Sequence, residues 1–218
     1  MTSAPVLRIE EVTAADALSG HLAEWAALAD RAPHAELFET PLWITTWLEA
    51  YWKDRPLAFL FVREADELVG LAPLLDDRDG ELGCPDCLVT PVNPHARRCS
   101  LLAAGDPGPV VGAVMEHLGR TRRGARVRLR CCDAASPVVA AFEERQALSL
   151  VRERPANPVI LLEGDWESYL ASRPRHLRHE LARKRKRLDA EWDAKWVHVA
   201  DAGGVDRAEG VKKREPIM

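Results

Sequence analysis

Two apolar runs joined by a short polar turn place the strongest constraint on the fold of this chain. The runs "PLAFLFV" (56–62) and "LVGLAPLL" (68–75) flank polar residues at 64–67. Runs of this length, separated by a short turn, are typical of a β-hairpin. Pro73 has no backbone N–H to donate to a neighbouring strand. The second strand is therefore predicted to lie at an edge of a sheet, or to carry a bulge at Pro73.

The rest of the sequence predicts further helices and strands around this hairpin. Residues 6–12 alternate as a strand, and residues 13–32 carry apolar side chains at helical spacing behind Thr13 as N-cap. Thr40 and Ser136, each followed by proline, are typical helix starts. The predicted order is β-α-α-β-β-β-α-β-α-β-β, then α-α-β. This order indicates an α/β protein of the α+β type, with a mixed sheet.

Length and composition exclude several classes of protein. A chain of 218 residues has room for one large domain, or for one domain and part of another. No apolar run approaches the roughly 20 residues of a membrane-spanning helix, and the N-terminus lacks the basic and apolar regions of a secretory signal. Five irregularly spaced cysteines argue against a disulfide framework. The cytoplasm is therefore the expected location.

Three segments, together with this element order, resemble the GNAT superfamily, and more narrowly its FemAB-like branch of CelD/BcsL-type acetyltransferases. "FETPLWITTWLEAYW" (38–52) resembles the early aromatic helix of that branch. "LAFLFVREADELVGLAPLL" (57–75) resembles its hairpin with a Gly-x-x-Pro-Leu turn. "NPVILLEGDWESYLASRPRHLRHELARKRKRL" (157–188) resembles its linker strand, Trp-containing helix and basic helix.

The resemblance implies two GNAT-like halves that transfer an acyl group from an acyl-CoA to an amine on a sugar, a cell-envelope precursor or a polysaccharide precursor. It divides this chain into a GNAT-like N-terminal domain (1–163), a helical linker with the start of a second GNAT-like domain (164–202), and a disordered tail (203–218). We interpret the second, donor-binding half as truncated. The chain is accordingly expected to be inactive and to bind no cofactor itself, with acetyl-CoA or another acyl-CoA as co-substrate of the full-length form.

The place that corresponds to the coenzyme A loop of the superfamily is "AAGDPGPVVGA" (103–113). Phosphates bind where backbone N–H groups converge at a helix N-terminus, but Pro107 and Pro109 have no N–H to offer, and Asp106 is negatively charged. His95, His117 and His179 are conceivable bases, although none has a partner acid at a recognisable spacing. We therefore assign no catalytic residue. The residues predicted to contact substrate are Trp47, Tyr51, Arg175, Arg178 and His179.

Cys84, Cys87, His95 and Cys99 form a metal-binding alternative with the spacing C-x2-C-x7-H-x3-C. Sulfur and imidazole ligands suit a tetrahedral zinc site. The spacing fits no common zinc finger, and cysteines in a turn-rich loop are the simpler interpretation. The main prediction is that no metal is bound.

The segment 173–187 carries eight basic residues and one acid, a net charge of +7 in a chain of net charge −4. Its apolar residues recur on one narrow stripe of a helix. Three interpretations stay open: a solvated amphipathic helix, an arm between two halves, and a contact surface for nucleic acid. The alternative to an acyltransferase is thus a non-catalytic binding module that uses this helix or the face of Trp43, Trp47 and Tyr51. An uncovered apolar surface at 159–162 and 192–199 predicts self-association.

Overall fold

The computed structural model describes residues 6–94, 98–133, 135–145, 152, 160–161, 163–193 and 212–213. The chain divides into two compact units, Met1–Arg154 and Pro155–Met218. The predicted end of the first domain is residue 163. Within the described part of the chain, no helix is long and apolar enough to cross a membrane.

The first unit contains a sheet and helices on both of its faces. Its strands are β1 (Leu7–Val12), β2 (Leu57–Glu64), β3 (Glu67–Asp77), β4 (Cys87–Val89), β5 (Leu102–Ala103) and β6 (Arg126–Arg128). Its helices are α1 (Leu22–Arg31), α2 (Pro41–Tyr51), α3 (Pro107–Thr121) and α4 (Pro137–Glu144), with 3-10 turns at Asp16–His21 and Leu37–Glu39.

The strand order is β1-β2-β3-β4-β6, and β5 also pairs with β3. The β4–β6 pair is parallel, whereas the other pairs are antiparallel. The predicted hairpin is β2–β3, closed by the pair Glu64 and Glu67. The α+β fold class with a mixed sheet is confirmed.

The predicted position of Pro73 is wrong, because β3 is an inner strand. Pro73 pairs with Phe59 of β2 in regular register, and the irregularity in that pair falls at Val62–Arg63 instead. On the other side of β3, β5 pairs with residues 70–71 and β4 pairs with residues 75–77. Pro73 lies between these two stretches. A residue without an N–H is tolerated in an inner strand here, because neither neighbouring strand pairs with it on that side.

The two faces of the sheet carry separate apolar clusters. Phe59 and Phe61 of β2 pack with α1 and α2, whereas the alternate residues Leu60 and Val62 pack with α3 and α4. A strand that is covered on both faces needs apolar residues at every position, which explains the continuous run in β2. Gly70 of β3 lets α3 approach, since a Cβ at this position would lie 2.6 Å from Cγ1 of Val110.

The predicted helix from 13 to 32 begins later than its spacing indicates. A 3-10 turn occupies Asp16–His21, and the α-helix begins at Leu22. Asp16 accepts a hydrogen bond from the Ala17 N–H through its side chain and from the Ser19 hydroxyl through its carbonyl. Such local bonds compete with α-helical hydrogen bonds. The helix N-termini predicted after Thr40 and after Ser136 are confirmed. Each of these two side chains accepts a hydrogen bond from a backbone N–H of the first turn.

The second unit contains α5 (Trp166–Ala171), α6 (Arg175–Glu191) and a short antiparallel pair, β7 (Trp192–Asp193) with β8 (Lys212–Lys213). The segment from 203 is predicted to be disordered, and β8 departs from that prediction at two residues. The strands predicted within 148–154 and 194–201 lie largely or wholly outside the described residues. Ile160 and Leu161, part of the predicted apolar surface, are exposed.

Candidate functional site

A polar groove opens on the surface of the first unit. It has a cavity volume of about 640 Å³ and opens between β1, the 3-10 turn before α1, and the β2–β3 turn. The residues that line it are Arg8, Ile9, Glu10, Gly20, His21, Glu24, Arg63 and Asp66.

His21, one of the lining residues, lies between two carboxylates. Its Nδ1 is 2.8 Å from Oε1 of Glu24, and its Nε2 is 3.5 Å from Oε1 of Glu10. The ring stacks on Phe61 with a centroid separation of 4.4 Å. A carboxylate on Nδ1 favours the tautomer in which this nitrogen carries the proton. Nε2 is then the nitrogen that can accept a proton.

Arg63 holds both carboxylates in position. Its Nη1 and Nη2 donate to Glu24 at 2.8 and 2.5 Å, and its Nε donates to Glu10 at 3.2 Å. The hydrogen bond from Arg63 is the main reason that the pKa of Glu24 lies below its usual value, against a smaller opposing effect of burial. The Glu24 carboxylate therefore stays ionised at neutral pH beside the imidazole.

With a neutral imidazole, the lining of the groove carries a net charge of −1. The acids Glu10, Glu24 and Asp66 outnumber the bases Arg8 and Arg63. Both arginines are already engaged, since Arg8 lies 3.6 Å from Asp66 and Arg63 bonds Glu24 and Glu10. Of the two carboxylates beside His21, Glu10 is the more exposed, at 48% against 32% for Glu24.

The N-terminus of α3, which the resemblance predicts to correspond to a coenzyme A loop, is capped by a carboxylate of the chain itself. Asp106 caps the helix by accepting the Gly108 N–H at 3.0 Å, and Arg145 donates to the Gly108 carbonyl at 2.7 Å. Pro107 and Pro109 have no N–H. A pyrophosphate at this helix end would meet the Asp106 carboxylate in the place that phosphate normally takes.

The predicted substrate residues fall in two units. Trp47 is buried in the core of the first unit, and its ring lies 5.5 Å from that of the half-exposed Tyr51. In the second unit, Arg175 donates to Nε2 of His179 at 3.1 Å, and Arg178 lies on the same helix. A direct substrate contact by the buried Trp47 ring would require α2 to move, so Tyr51 is the more accessible of the two aromatic residues.

Sequence reasoning missed two histidine–carboxylate pairs in the first unit. His117 of α3 has Glu11 as an acid partner, with Nε2 3.1 Å from Oε2, although 106 positions separate the two residues. His21 and Glu24 stand three positions apart, a spacing that brings side chains together on a helix and could have been recognised. Of the three histidines considered as bases, His95 lies outside the described residues.

Two of the four residues of the zinc alternative are bonded to each other in this structure. Cys84 and Cys87 form a disulfide, whereas zinc binds thiolates. Cys99 is buried in the core, where desolvation raises the pKa of its thiol well above the usual value. Across the residues described here, no three His, Cys, Asp or Glu are grouped to hold a metal ion.

Comparison with protein-family models, with curated proteins and with solved structures finds no match for this chain. The groove and the charged helix α6 are therefore the observations on which a function can be proposed.

Proposed function

We propose that the first unit belongs to an N-acyltransferase of the GNAT/FemAB-like type and binds the amine acceptor in the groove around His21. The observation that carries this proposal is the imidazole held between Glu10 and Glu24 inside an open cavity of about 640 Å³. The element order and the mixed sheet support the same assignment. The acceptor is an amine on a sugar, a cell-envelope precursor or a polysaccharide precursor, and the acyl donor is an acyl-CoA.

The groove removes the proton that an amine must lose before acyl transfer. An amine arrives protonated at neutral pH and must lose a proton before its lone pair can attack a thioester. The Glu10 carboxylate attracts the ammonium group, and Nε2 of His21 accepts the proton. The Glu24 carboxylate then stabilises the imidazolium through Nδ1.

The donor is not assigned to the N-terminus of α3. The Asp106 carboxylate and the missing N–H groups of Pro107 and Pro109 disfavour a pyrophosphate there. The first unit is therefore proposed to bind the acceptor rather than the donor. The proposal predicts that acetyl-CoA alone produces no saturable heat in a calorimetric titration of the chain.

Glucosamine is expected to bind in the groove, and N-acetylglucosamine is expected not to bind, because acetylation removes the ammonium charge. The test is a titration of each sugar followed by the NMR signals of the His21 ring. Glu10→Gln is expected to weaken glucosamine binding about two- to fivefold, the effect of one partly exposed charge pair.

Glu116→Gln is the matched control, because Glu116 is an exposed glutamate that pairs with Arg120 outside the groove. Equal binding of the two sugars, or an equal effect of the two glutamine variants, would contradict the proposed acceptor site.

A second candidate function is binding of a polyanion by α6. Within the described residues, the side chains of Arg178, Arg185 and Lys186 have no hydrogen-bond or ion-pair partner, whereas Arg183 and Arg187 are paired with Glu180 and Glu191. Arg178 and Arg185 stand seven positions apart and so share one face of the helix. Unpaired cations on one face suit consecutive phosphates of a nucleic acid.

This second function predicts a salt-dependent affinity for a nucleic acid duplex. In fluorescence anisotropy with a duplex of about 20 base pairs, changing Arg178 and Arg185 together to Gln should reduce the slope of log K against log salt by about 2. The already paired Arg183, changed to Gln, serves as control and should reduce the slope by less. Salt-independent binding, or none, would leave the acyltransferase proposal as the better one.

A further inference from the structure

The Cys84–Cys87 disulfide lies in a turn that is surrounded by charged side chains. Neither the packing of the fold nor the groove around His21 accounts for them. The two cysteines stand three positions apart at the start of β4, with Pro85 and Asp86 exposed between them. Cys84 is partly exposed, whereas only 3% of Cys87 is exposed. An attacking sulfur from solution can therefore reach Cys84 in preference to Cys87.

Three arginines surround the backbone on both sides of Cys84. Arg126 donates to the Pro85 carbonyl at 2.6 Å, Arg128 donates to the Gly83 carbonyl at 3.0 Å, and Arg130 donates to the Leu82 carbonyl at 2.8 Å. They alternate along β6 and its continuation, so they share one face of that strand. Among the described residues, none of the three has an acidic partner. Their charge is available to stabilise a thiolate at position 84.

A buried carboxylate lies next to the same two cysteines. Asp77 is paired across the β3–β4 ladder with Cys87, and its Oδ2 accepts N–H groups from Leu82 at 3.1 Å and from Cys84 at 3.4 Å. Its exposure is 1%, and its Oδ1 has no hydrogen-bond partner in the part of the chain that the structure describes. A buried carboxylate oxygen without a hydrogen-bond partner costs free energy, because it has lost its hydration.

We propose that Cys84 and Cys87 are a redox-active pair that exchanges with external thiols and disulfides, with Cys84 as the attacking sulfur and Cys87 as the resolving one. Arg126, Arg128 and Arg130 stabilise the Cys84 thiolate. Asp77 is a positioning residue, which holds the turn through the N–H groups of Leu82 and Cys84 that its Oδ2 accepts.

Reduction of the pair consumes two molecules of external thiol. The first thiolate attacks Sγ of Cys84, a mixed disulfide forms, and the Cys84–Cys87 bond breaks with its electron pair on Cys87. The Cys87 thiolate takes up the proton that the external thiol has lost. A second external thiolate attacks the external sulfur of the mixed disulfide and releases the Cys84 thiolate. Two thiols thus become one disulfide, and the protein gains two electrons.

The test traps the mixed disulfide in the full chain. All variants carry Cys131→Ser, because Cys131 is exposed and would react independently. Cys132 needs no change, because desolvation raises its pKa to about 11 and keeps it protonated. After reduction and removal of dithiothreitol, oxidised glutathione is added and the intact mass is measured. Cys87→Ser is expected to accumulate one glutathione on Cys84, because the resolving thiol is missing.

Cys84→Ser is the matched variant and is expected to accumulate little glutathione, because Cys87 is buried. The parent chain should return to the internal disulfide. Equal labelling of the two variants, or reduction of the disulfide only after unfolding in urea, would overturn the proposal.

The rate at which reduced Cys84 is alkylated tests whether the arginines stabilise its thiolate. Changing Arg126 and Arg128 together to Gln should slow iodoacetamide alkylation of reduced Cys84 about tenfold at neutral pH, the effect of weaker thiolate stabilisation. Changing both to Lys keeps the charge and should restore most of the rate, which a purely structural role would not predict. Arg120→Gln, on the exposed surface of α3, should leave the rate unchanged. The same rate in the Gln and Lys variants would overturn the role of the arginines.

Discussion

Trp25→Ala is expected to lower the free energy of unfolding of the first unit by about 4 kcal/mol, the range for a large aromatic side chain removed from a core. Trp25 is fully buried. Its ring packs edge-on against Phe59 at 5.9 Å and Phe61 at 6.4 Å, and its Nε1 donates to the Glu39 carbonyl at 2.9 Å. The substitution leaves a cavity between α1 and the sheet and deprives a buried carbonyl of its donor.

Urea unfolding followed by far-UV circular dichroism measures this loss. Trp25→Phe keeps an aromatic ring but not the donor, so it should cost clearly less than the alanine variant. Trp166→Ala is the surface control, because Trp166 is exposed on α5 of the second unit, and its effect should stay within about 0.5 kcal/mol. A Trp25→Ala loss as small as that of the control would mean that α1 does not anchor the sheet.

The β2–β3 hairpin could be predicted because the residues that specify it are adjacent in the sequence. The apolar runs of β2 and β3 and the polar turn between them define a hairpin without information from elsewhere in the chain. The same holds for α2 and α4, where Thr40 and Ser136 precede proline and cap the helices as expected. In each of these elements, residues at its ends indicate where the strand or helix begins or stops.

The neighbours of a strand were not predictable in the same way. Pro73 indicates an edge strand only if one neighbour runs along the whole of β3. In the structure two short strands, β4 and β5, share that side and leave a gap at Pro73. Which strands pair depends on contacts between residues far apart in the sequence, and no local pattern records them.

The groove could not be predicted from local sequence either, because its residues come from separate parts of the chain. His21 and Glu24 are close in the sequence, but Glu10 belongs to β1 and Arg63 to β2, and only the antiparallel pairing of these strands brings them to the imidazole. The cysteines are a different case. Their C-x2-C spacing serves zinc binding and disulfide formation equally well, so the spacing alone could not distinguish the two chemistries.

Arg122→Gln is expected to lower the free energy of unfolding by about 2 kcal/mol, since hydrogen bonds to charged partners contribute about 1.5–3 kcal/mol. Arg122 follows the end of α3 and connects it to two strands. It donates to Glu11 of β1 at 2.6 Å and to Asp76 of β3 at 2.8 Å. Asp76 is buried, and Glu11 and Arg122 are mostly so. Arg120→Gln, two positions earlier, removes only an exposed ion pair and should cost less than about 0.5 kcal/mol.

The loss of unfolding free energy caused by Arg122→Gln should become smaller as the pH falls. Burial alone would raise the pKa of Glu11 and the pKa of Asp76. Arg122 donates hydrogen bonds to both carboxylates, His117 also bonds Glu11, and Arg78 also bonds Asp76. These bonds outweigh burial, so both pKa values are lowered. A carboxyl with a lowered folded pKa stabilises the fold above its unfolded pKa of about 4, and loses that contribution as pH falls through the folded pKa. The difference between parent and Arg122→Gln should therefore be largest near neutral pH and shrink below about pH 4 in urea titrations. A difference that stays constant on acidification would show that Arg122 acts through the packing of its side chain rather than through its charge.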